Sequence, residues 1–485
     1  MSIKQEAISG VKWTSLLTVI STTIQVLRTL ILARLLNPED FGLMGMVMVV
    51  TGFAQIYSDM GISAAIIHRQ DSTNDHLSSL YWLNIFSGFI TFGLVWFSIP
   101  LVVKFFGEPR LLPLIQILAL IFVITPLGAQ FQILLQKELR FNMVVRREIM
   151  GGFIGFVVAV VLASNGFGVW SLVWGLIAEV SVKAILYMSI GLSQYRPSFH
   201  FKRHDLRDYI GFGLYQIGER TVNFLSQRLD QILIGYLLGA NTLGFYNVAF
   251  NLTTLPIERI NPIVTTVAFP VFSKIQNDNI KLRSNYIKVI NLLTTINAPL
   301  LIGLCVTAPL FVPLFFGEKW YQSVIFVQIL SFVALCRSIG NPIGSLQLAK
   351  GRADLGFKWN VILLFFSLPT IYIGGTLGNA KGVAYSLLIL QVCLYVPSYL
   401  YLVRPLIGRC AKEYASSILK PITLAAFMGL MILPIPYIFK AFSNLILLIM
   451  QIGIGCLLYI FILWLKDKNV INEFRTILFS KPPLK

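Results

Sequence analysis

A polar stripe along an otherwise apolar helix is the clearest pattern in this chain, and it occurs twice. The segment 205–239 is apolar enough to cross a bilayer, yet polar side chains recur along it at helical spacing, at Gln216, Arg220, Asn223, Gln227 and Asp230. The positions 202 residues earlier, on the first apolar helix, are also polar: Thr14, Thr18, Ser21, Gln25 and Arg28. A charge at bilayer depth costs about 3 kcal/mol, so both stripes are predicted to face protein or a wet cavity.

Further matches indicate that the chain consists of two halves built to one plan. Leu35-Leu36 followed by Phe41-Gly42-Leu43 aligns with Leu237-Leu238 followed by Leu243-Gly244-Phe245. The motif Phe105-Phe106-Gly107-Glu108 returns as Phe315-Phe316-Gly317-Glu318. Each half has room for six membrane spans, and an even number makes the two halves run in the same direction. We therefore predict a parallel repeat with a substrate path between two lobes.

Apolar runs of about 20 residues recur along the whole chain and predict about fourteen transmembrane helices. The twelve spans of the repeat are predicted at 13–36, 41–67, 77–103, 110–136, 148–165, 167–192, 207–239, 241–272, 286–316, 320–349, 357–378 and 381–403. Two spans without a counterpart follow at 418–439 and 442–465. The predicted fold is all-α, with an N-terminal lobe at 1–200, a C-terminal lobe at 201–405, and two helices with a tail at 406–485.

Composition agrees with a polytopic membrane protein. The chain is 56% hydrophobic and 12% charged, with a mean hydropathy of +0.76, which excludes an ordinary soluble domain. The net charge of +18 does not indicate nucleic acid, because the Lys and Arg residues lie in short loops between spans. With the N-terminus in the cytoplasm, 27 of them fall on the cytoplasmic side and 6 on the other. The positive-inside rule therefore predicts that both termini are cytoplasmic.

Features of an enzyme are missing from the sequence. No loop is long enough to fold as a domain of its own, and there is no P-loop. The five cysteines lie far apart, mostly in apolar runs, and are predicted to be packing residues. His200 and His204 lie in a basic loop, where we expect no metal. We therefore expect no catalytic residues, no cofactor and no metal.

The charged residues inside the predicted spans are the candidates for function. The cations are Arg28, Lys183, Arg220, Arg228, Arg259 and Arg337, and the acids are Asp59, Glu179, Glu219, Asp230 and Glu258. Glu179 and Lys183 are four residues apart on one helix and are predicted to pair. Glu258 and Arg259 lie between Pro256 and Pro262, where a broken helix would make either a cavity wall or a buried ion pair.

Arg28 has no acid within one turn of its own helix, so it requires an external counter-charge. Asp230, at the equivalent repeat position, would form a structural clamp between the lobes. The alternative is an anionic ligand, because the guanidinium is a permanently charged planar fork suited to phosphate. Asp59, beside Gln55 and Ser58, is either a proton or cation site or a helix-end cap.

Several motifs resemble a known family, the polysaccharide transporters of the multidrug/oligosaccharidyl-lipid/polysaccharide exporter superfamily. The resemblance is closest to Wzx-type O-antigen flippases and the colanic-acid and teichuronic-acid exporters. The matching segments are Ser9-Gly10-Val11-Lys12-Trp13, residues 32–42, Asp59-Met60-Gly61-Ile62, residues 227–231, Leu243-Gly244-Phe245-Tyr246 and the paired Phe-Phe-Gly-Glu motifs. They extend over about residues 5–410. The resemblance implies a V-shaped bundle with alternating access and a cationic cavity, with arginines on the first and eighth helices, here Arg28 and Arg259.

The charged residues inside the spans and the family resemblance together predict export of undecaprenyl-pyrophosphate-linked oligosaccharide across the bacterial inner membrane. The predicted cavity residues are Arg28, Arg220, Arg228, Arg259, Gln25, Asn223 and Gln227, and the candidates for ion or proton coupling are Asp59, Glu219, Asp230 and Glu258. Coupling would use a proton or sodium gradient, and a polysaccharide polymerase is a candidate partner. The alternative is a drug or cation antiporter of the same superfamily, whose cavity should favour acids over cations. A membrane glycosyltransferase or polymerase would need a large outer loop or a nucleotide-sugar domain, which this sequence does not have.

Overall fold

The computed structural model describes residues 3–58, 66 and 73–466, and in this part of the chain every regular element is a helix. The helices of the first half are α1 (Ile3–Leu35), α2 (Pro38–Ser58), α3 (Asn74–Phe106), α4 (Leu111–Ala119), α5 (Ile121–Lys137), α6 (Phe141–Ser164) and α7 (Val169–Gln194). The later helices are α8 (Arg203–Lys274), α9 (Asn279–Phe316), α10 (Ser323–Gly340), α11 (Pro342–Ala349), α12 (Ala353–Cys393), α13 (Ala411–Ile432) and α14 (Asn444–Lys466). Short helical turns occupy Glu318–Trp320, Tyr395–Ser398, Tyr399–Val403, Arg404–Ile407 and Ile435–Ile438.

The number of membrane spans follows from two breaks in long helices. Within the described residues, 12 helices are long and apolar enough to cross a membrane. Non-helical residues interrupt two of them, Gly239 in α8 and the pair Gly378 and Asn379 in α12. Each break divides one long helix into two spans, which gives the fourteen spans predicted from the apolar runs. The all-α polytopic membrane fold is confirmed.

The repeated Phe-Phe-Gly-Glu motif ends a helix in both halves. Gly107 follows the last residue of α3 with φ 65°, and Gly317 follows the last residue of α9 with φ 100°. Glycine occupies both positions because a residue with a Cβ atom is disfavoured at positive φ. The same two helices begin with side-chain caps, from Thr73 on α3 and from Asp278 on α9. The sequence repeat therefore marks equivalent helix ends.

The prediction of a broken helix around Glu258 and Arg259 is wrong. Pro256 and Pro262 both lie inside α8, whose one internal non-helical residue is Gly239, well before them. Each proline removes one backbone hydrogen bond and bends the helix, but a membrane helix tolerates this when neighbouring groups satisfy the freed carbonyl. The helix is therefore continuous here, and the predicted place of Glu258 and Arg259 in a cavity wall stays a prediction.

Contacts divide the chain into two compact units, Met1–Asn247 and Val248–Lys485. The first unit has an apolar core that includes Tyr81, Phe131 and Tyr187. The second unit has a larger core that includes Phe272 and Tyr286 and reaches α13 and α14. The lobe boundaries at 200 and 405 come from the sequence repeat and stay a prediction.

Backbone-to-backbone contact joins two equivalent helix starts within the first unit. A Cβ atom on Gly42 would lie 1.7 Å from the carbonyl oxygen of Ala240, and one on Gly244 would lie 1.8 Å from that of Pro38. Gly42 and Gly244 are equivalent in the repeat, and so are Pro38 and Ala240. The start of α2 and the part of α8 after Gly239 therefore cross in a pseudo-twofold contact that only glycine allows.

Candidate functional site

The polar stripe of α1 is only partly covered by protein. Thr18, Ser21 and Arg28 are half-buried and Gln25 is exposed, whereas Thr14 lies outside the residues whose side chains are described. The helix α1 packs against α6, and at its start the Arg146 guanidinium lies 5.9 Å from the ring centre of Trp13, whereas Leu16, Val19 and Leu27 are exposed. The stripe thus remains accessible within an apolar span of 21 residues, Ser15–Leu35.

Arg28 is the first member of a chain of charges. Its Nη1 donates to Glu179 Oε2 on α7 over 3.1 Å, and Glu179 Oε1 accepts from Lys183 Nζ over 2.9 Å. Lys183 also donates to Glu148 Oε2 on α6 over 2.9 Å. The predicted pair of Glu179 and Lys183 is confirmed. The clamp between Arg28 and Asp230 is wrong, because the carboxylate that Arg28 contacts is Glu179. We refer to Arg28, Glu179, Lys183 and Glu148 as the charge chain.

A cavity of about 450 Å³ adjoins the Glu148 end of the charge chain. Glu148 and Lys183 reach its wall, together with Tyr187 and Gln132, and α2 contributes Met48, Thr51, Gly52 and Gln55. Glu148 Oε1 accepts from the hydroxyl of Tyr187 over 2.9 Å and from Gln132 Nε2 over 3.3 Å. The wall is therefore charged where the charge chain ends, and elsewhere it combines apolar side chains with Thr51 and Gln55. Glu148 was not predicted as a site residue, because it lies at the predicted start of a span and its partner Lys183 is on another helix.

The second stripe, on α8, has a packed face and an open face. Thr221 Oγ1 is 3.1 Å from the hydroxyl of Tyr57 on α2, and the Phe224 ring is 6.1 Å from that of Phe53. Away from this contact, Arg220 and Gln227 are exposed and Asn223 is half-buried. Gln227 Nε2 donates to Asn223 Oδ1 over 2.7 Å, so these amides form a polar surface on one face of the helix. Glu219 is also exposed, and Gln216 lies outside the described side chains.

Asp230 departs from the stripe to which its spacing assigns it. It is 2% exposed, and its Oδ2 accepts from the hydroxyl of Tyr246 over 2.6 Å. Tyr246 reaches it because the break at Gly239 turns the chain back between the two residues. Half-buried Arg228 donates to Gln231 Oε1 over 2.9 Å. The carboxylate of Asp230 therefore holds the two segments of α8 together, and its predicted part in ion coupling stays a prediction.

In the second unit, the predicted pair is flanked by a buried amide network. Arg259 is half-buried and Glu258 exposed, and the Arg337 guanidinium lies 5.8 Å from the ring centre of Phe250. Asn297 Nδ2 donates to Asn261 Oδ1 over 3.0 Å and to Ser338 Oγ over 2.8 Å. This uncharged network was not predicted from the sequence, because its three members lie on three different helices, α8, α9 and α10.

Metal and coupling sites gain no support from side-chain clusters. In the described part of the chain, no group of three or more His, Cys, Asp or Glu side chains could hold a metal ion. Asp59 lies outside the described residues. The predicted roles of Asp59, Glu219 and Glu258 in coupling stay predictions.

These features define a class, the helical membrane proteins with an internal repeat and polar stripes on their spans. The solved structure of the lipid II flippase MurJ in an inward closed conformation shares this fold, with a TM-score of 0.75 over 98% of this chain and 100% of that one, at 15% sequence identity.

The family follows from sequence comparison. The profile of the family described as "Polysaccharide biosynthesis protein" matches residues 31–325, and this chain belongs to that family. It is 37% identical to the lipopolysaccharide biosynthesis protein WzxC of Escherichia coli K12 over an alignment of 425 residues. That alignment covers 88% of this chain and 86% of WzxC. It is 36% identical to the teichuronic acid biosynthesis protein TuaB of Bacillus subtilis 168 over an alignment of 465 residues. That alignment covers 95% of this chain and 96% of TuaB. The family resemblance of the sequence motifs is confirmed.

Proposed function

We propose that this protein is a flippase that moves an undecaprenyl-pyrophosphate-linked oligosaccharide from the cytoplasmic to the outer leaflet of the bacterial inner membrane. The observation that carries the proposal is the accessible polar surface on two membrane helices, at Gln25 and Arg28 of α1 and at Arg220, Asn223 and Gln227 of α8. Polar side chains that stay exposed at bilayer depth favour contact with water or a ligand besides their protein partners. Membership of a polysaccharide biosynthesis family supports a glycan precursor as that ligand.

The chemistry of such a substrate matches these residues. Sugar and pyrophosphate cannot cross hydrocarbon unaided, so a polar surface must shield them while the polyprenyl tail stays in lipid. Arginine binds phosphate oxygens through two parallel N–H donors, which suits Arg28, Arg220, Arg228 and Arg259 to the pyrophosphate. Amides both donate and accept hydrogen bonds, which suits Gln25, Asn223 and Gln227 to sugar hydroxyls.

The transport direction rests on the predicted topology, with both termini in the cytoplasm. Cysteines placed in the loops 137–147 and 196–207 of a cysteine-free variant should resist an impermeant maleimide applied to intact cells. Ready labelling of both loops from outside would reverse the topology. We also propose that the protein is a transporter and not an enzyme, that a proton or sodium gradient drives it, and that a polysaccharide polymerase uses its product.

The decisive experiment measures flipping by the purified protein in lipid vesicles. Undecaprenyl-pyrophosphate oligosaccharide, initially in both leaflets, becomes accessible to an external glycosidase only as it reaches the outer leaflet. We expect complete digestion with the protein and about half without it, and a dissipated ion gradient should slow the approach to completion. The same vesicles should not release a cationic dye faster than empty ones. Dye efflux without flipping would support a drug antiporter and refute the proposal.

A further inference from the structure

The charge chain has alternating signs and no net charge. Along it follow Arg28, Glu179, Lys183 and Glu148, with contacts of 3.1, 2.9 and 2.9 Å between successive members. All four side chains are partly buried, between 20% and 25% exposed. Each interior member, Glu179 and Lys183, has a partner of opposite charge on both sides. The charge chain can therefore lose the contact of Arg28 or of Glu148 while Glu179 and Lys183 stay paired with each other.

Two glycines of α6 make room for this arrangement. A Cβ atom on Gly151 would lie 2.4 Å from Cγ of Lys183, and one on Gly155 would lie 2.6 Å from Cβ of Glu179. The small-residue spacing of Gly151 and Gly155 therefore serves the charged pair directly, since α7 could not bring these two side chains against α6 otherwise. The glycines form a cradle for Glu179 and Lys183.

The fold itself does not require these charges. Aligning Gly168 with Gly382 in sequence pairs the start of α7 with the part of α12 that follows its break. In this alignment Cys393 and Pro397 stand where the first half has Glu179 and Lys183. The second half thus has no charge at either position, where α12 ends at Cys393 and Pro397 lies in the helical turn Tyr395–Ser398. Partly buried charges that the architecture can omit point to a role in function.

Arg28 keeps most of its binding capacity while it contacts Glu179. A guanidinium has five N–H donors, and within the described residues one of them, on Nη1, is used, for Glu179 Oε2. The side chain is 22% exposed on the accessible stripe of α1. Turning Arg28 toward a ligand would remove one hydrogen bond from Glu179, which would still accept from Lys183.

We propose that Glu179 competes with the substrate pyrophosphate for Arg28, and that Lys183 neutralises Glu179 when Arg28 turns to the substrate. This inference rests on the proposed function. Glu179 is a positioning residue. Without substrate it holds the Arg28 guanidinium against α7, and it releases that guanidinium when phosphate oxygens offer a better acceptor. Lys183 makes the exchange possible, because a partly buried carboxylate with no cation would hold Arg28 too tightly.

The proposal predicts that two neighbouring charge removals act in opposite directions. Glu179→Gln removes the competitor and should bind a pyrophosphate lipid about tenfold more tightly, equivalent to about 1.4 kcal/mol. Lys183→Met leaves Glu179 with Arg28 as its remaining cation and should bind about tenfold more weakly. A purely structural role would make both variants weaker, since both disrupt the same contacts.

The test measures the dissociation constant of farnesyl pyrophosphate for the purified full-length protein in detergent. Glu413→Gln is the matched control, because it breaks an exposed contact with Arg283 in the other unit and should bind like wild type. Arg28→Ala/Glu179→Gln should bind as weakly as Arg28→Ala, because the gain depends on Arg28. Glu179→Asp, whose shorter side chain weakens the contact, should give about threefold tighter binding if Glu179→Gln fails to fold. Melting temperatures identify variants that fail to fold.

The possible outcomes separate this inference from the proposed function. Opposite shifts for Glu179→Gln and Lys183→Met support the exchange. Unchanged or equally weakened binding in both variants overturns it. If wild type prefers farnesyl pyrophosphate to farnesol but Glu179→Gln and Glu179→Asp bind like wild type, the exchange fails and the pyrophosphate site stands. If wild type shows no such preference, the proposed substrate fails as well.

Discussion

The contact between α2 and α8 gives the prediction with the most direct geometry. In Gly42→Ala the new methyl carbon would lie 1.7 Å from the backbone oxygen of Ala240, and in Gly244→Ala it would lie 1.8 Å from that of Pro38. Ordinary contact needs about 3.4 Å, so one backbone must move by about 1.7 Å, and no flexible side chain can absorb the shift. Overpacking of this kind costs about 1–3 kcal/mol, offset by about 0.5–1 kcal/mol because alanine favours a helix over glycine.

We therefore expect each variant to lower the free energy of unfolding by about 1–2 kcal/mol, measured by denaturation of the purified protein in mixed micelles. Gly93→Ala is the control, because nothing lies within 4 Å of its added Cβ inside α3. It should be neutral or slightly stabilising. Because the contact is pseudo-twofold, Gly42→Ala and Gly244→Ala should have similar effects. Stability equal to that of Gly93→Ala for both variants would refute the close backbone approach.

Three further predictions concern single contacts. Arg28→Ala should abolish flipping but lower stability by only about 1 kcal/mol, since Lys183 still neutralises Glu179, whereas Arg28→Lys should retain part of the activity because charge survives without the fork. Tyr246→Phe should destabilise the protein by about 1.5–3 kcal/mol in denaturation experiments, because it removes the buried hydrogen bond to Asp230. The hydrogen bonds from Arg110 lower the pKa of Glu108 in the loop after α3. These hydrogen bonds should add at most a few tenths of a kcal/mol to the free energy of unfolding, because the site is solvated. This stabilisation should be present near neutral pH and lost as pH falls through the lowered pKa of Glu108. Denaturation of Arg110→Gln at both pH values should show no such pH-dependent loss.

Much of the architecture could be predicted because membrane burial acts on single helices. Each span must satisfy its own backbone and present apolar side chains to lipid, so length and apolarity locate it. Repeated motifs added the equivalence of Gly107 with Gly317, which both end helices at positive φ. Local spacing also predicted the contact between Glu179 and Lys183, because residues four apart on a helix are neighbours in any fold.

Contacts between helices could not be predicted in the same way. Periodicity shows which residues share a face of one helix but not which helix lies opposite, and Arg28 and Glu179 are 151 residues apart. The repeat suggested Asp230 as the partner of Arg28, yet equivalent positions in a repeat need not touch. The break at Gly239 instead brings Tyr246 to Asp230. Pro256 and Pro262 predicted a helix break that the structure does not have, because α8 continues through both residues.

The two units solve the problem of polar groups at bilayer depth differently, and the difference has a functional consequence. In the first unit the four side chains of the charge chain remain 20–25% exposed, which lowers the cost of removing their charges from water. In the second unit Asn261, Asn297 and Ser338 are neutral and at most 1% exposed, so their hydrogen bonds are shielded from water. A partly hydrated ion pair can exchange one partner for a phosphate, whereas a fully buried amide network holds its helices in a fixed arrangement. The first unit thus contains a charge chain that can exchange a partner and the second unit contains a buried amide network, and the pyrophosphate is expected to act on the charge chain.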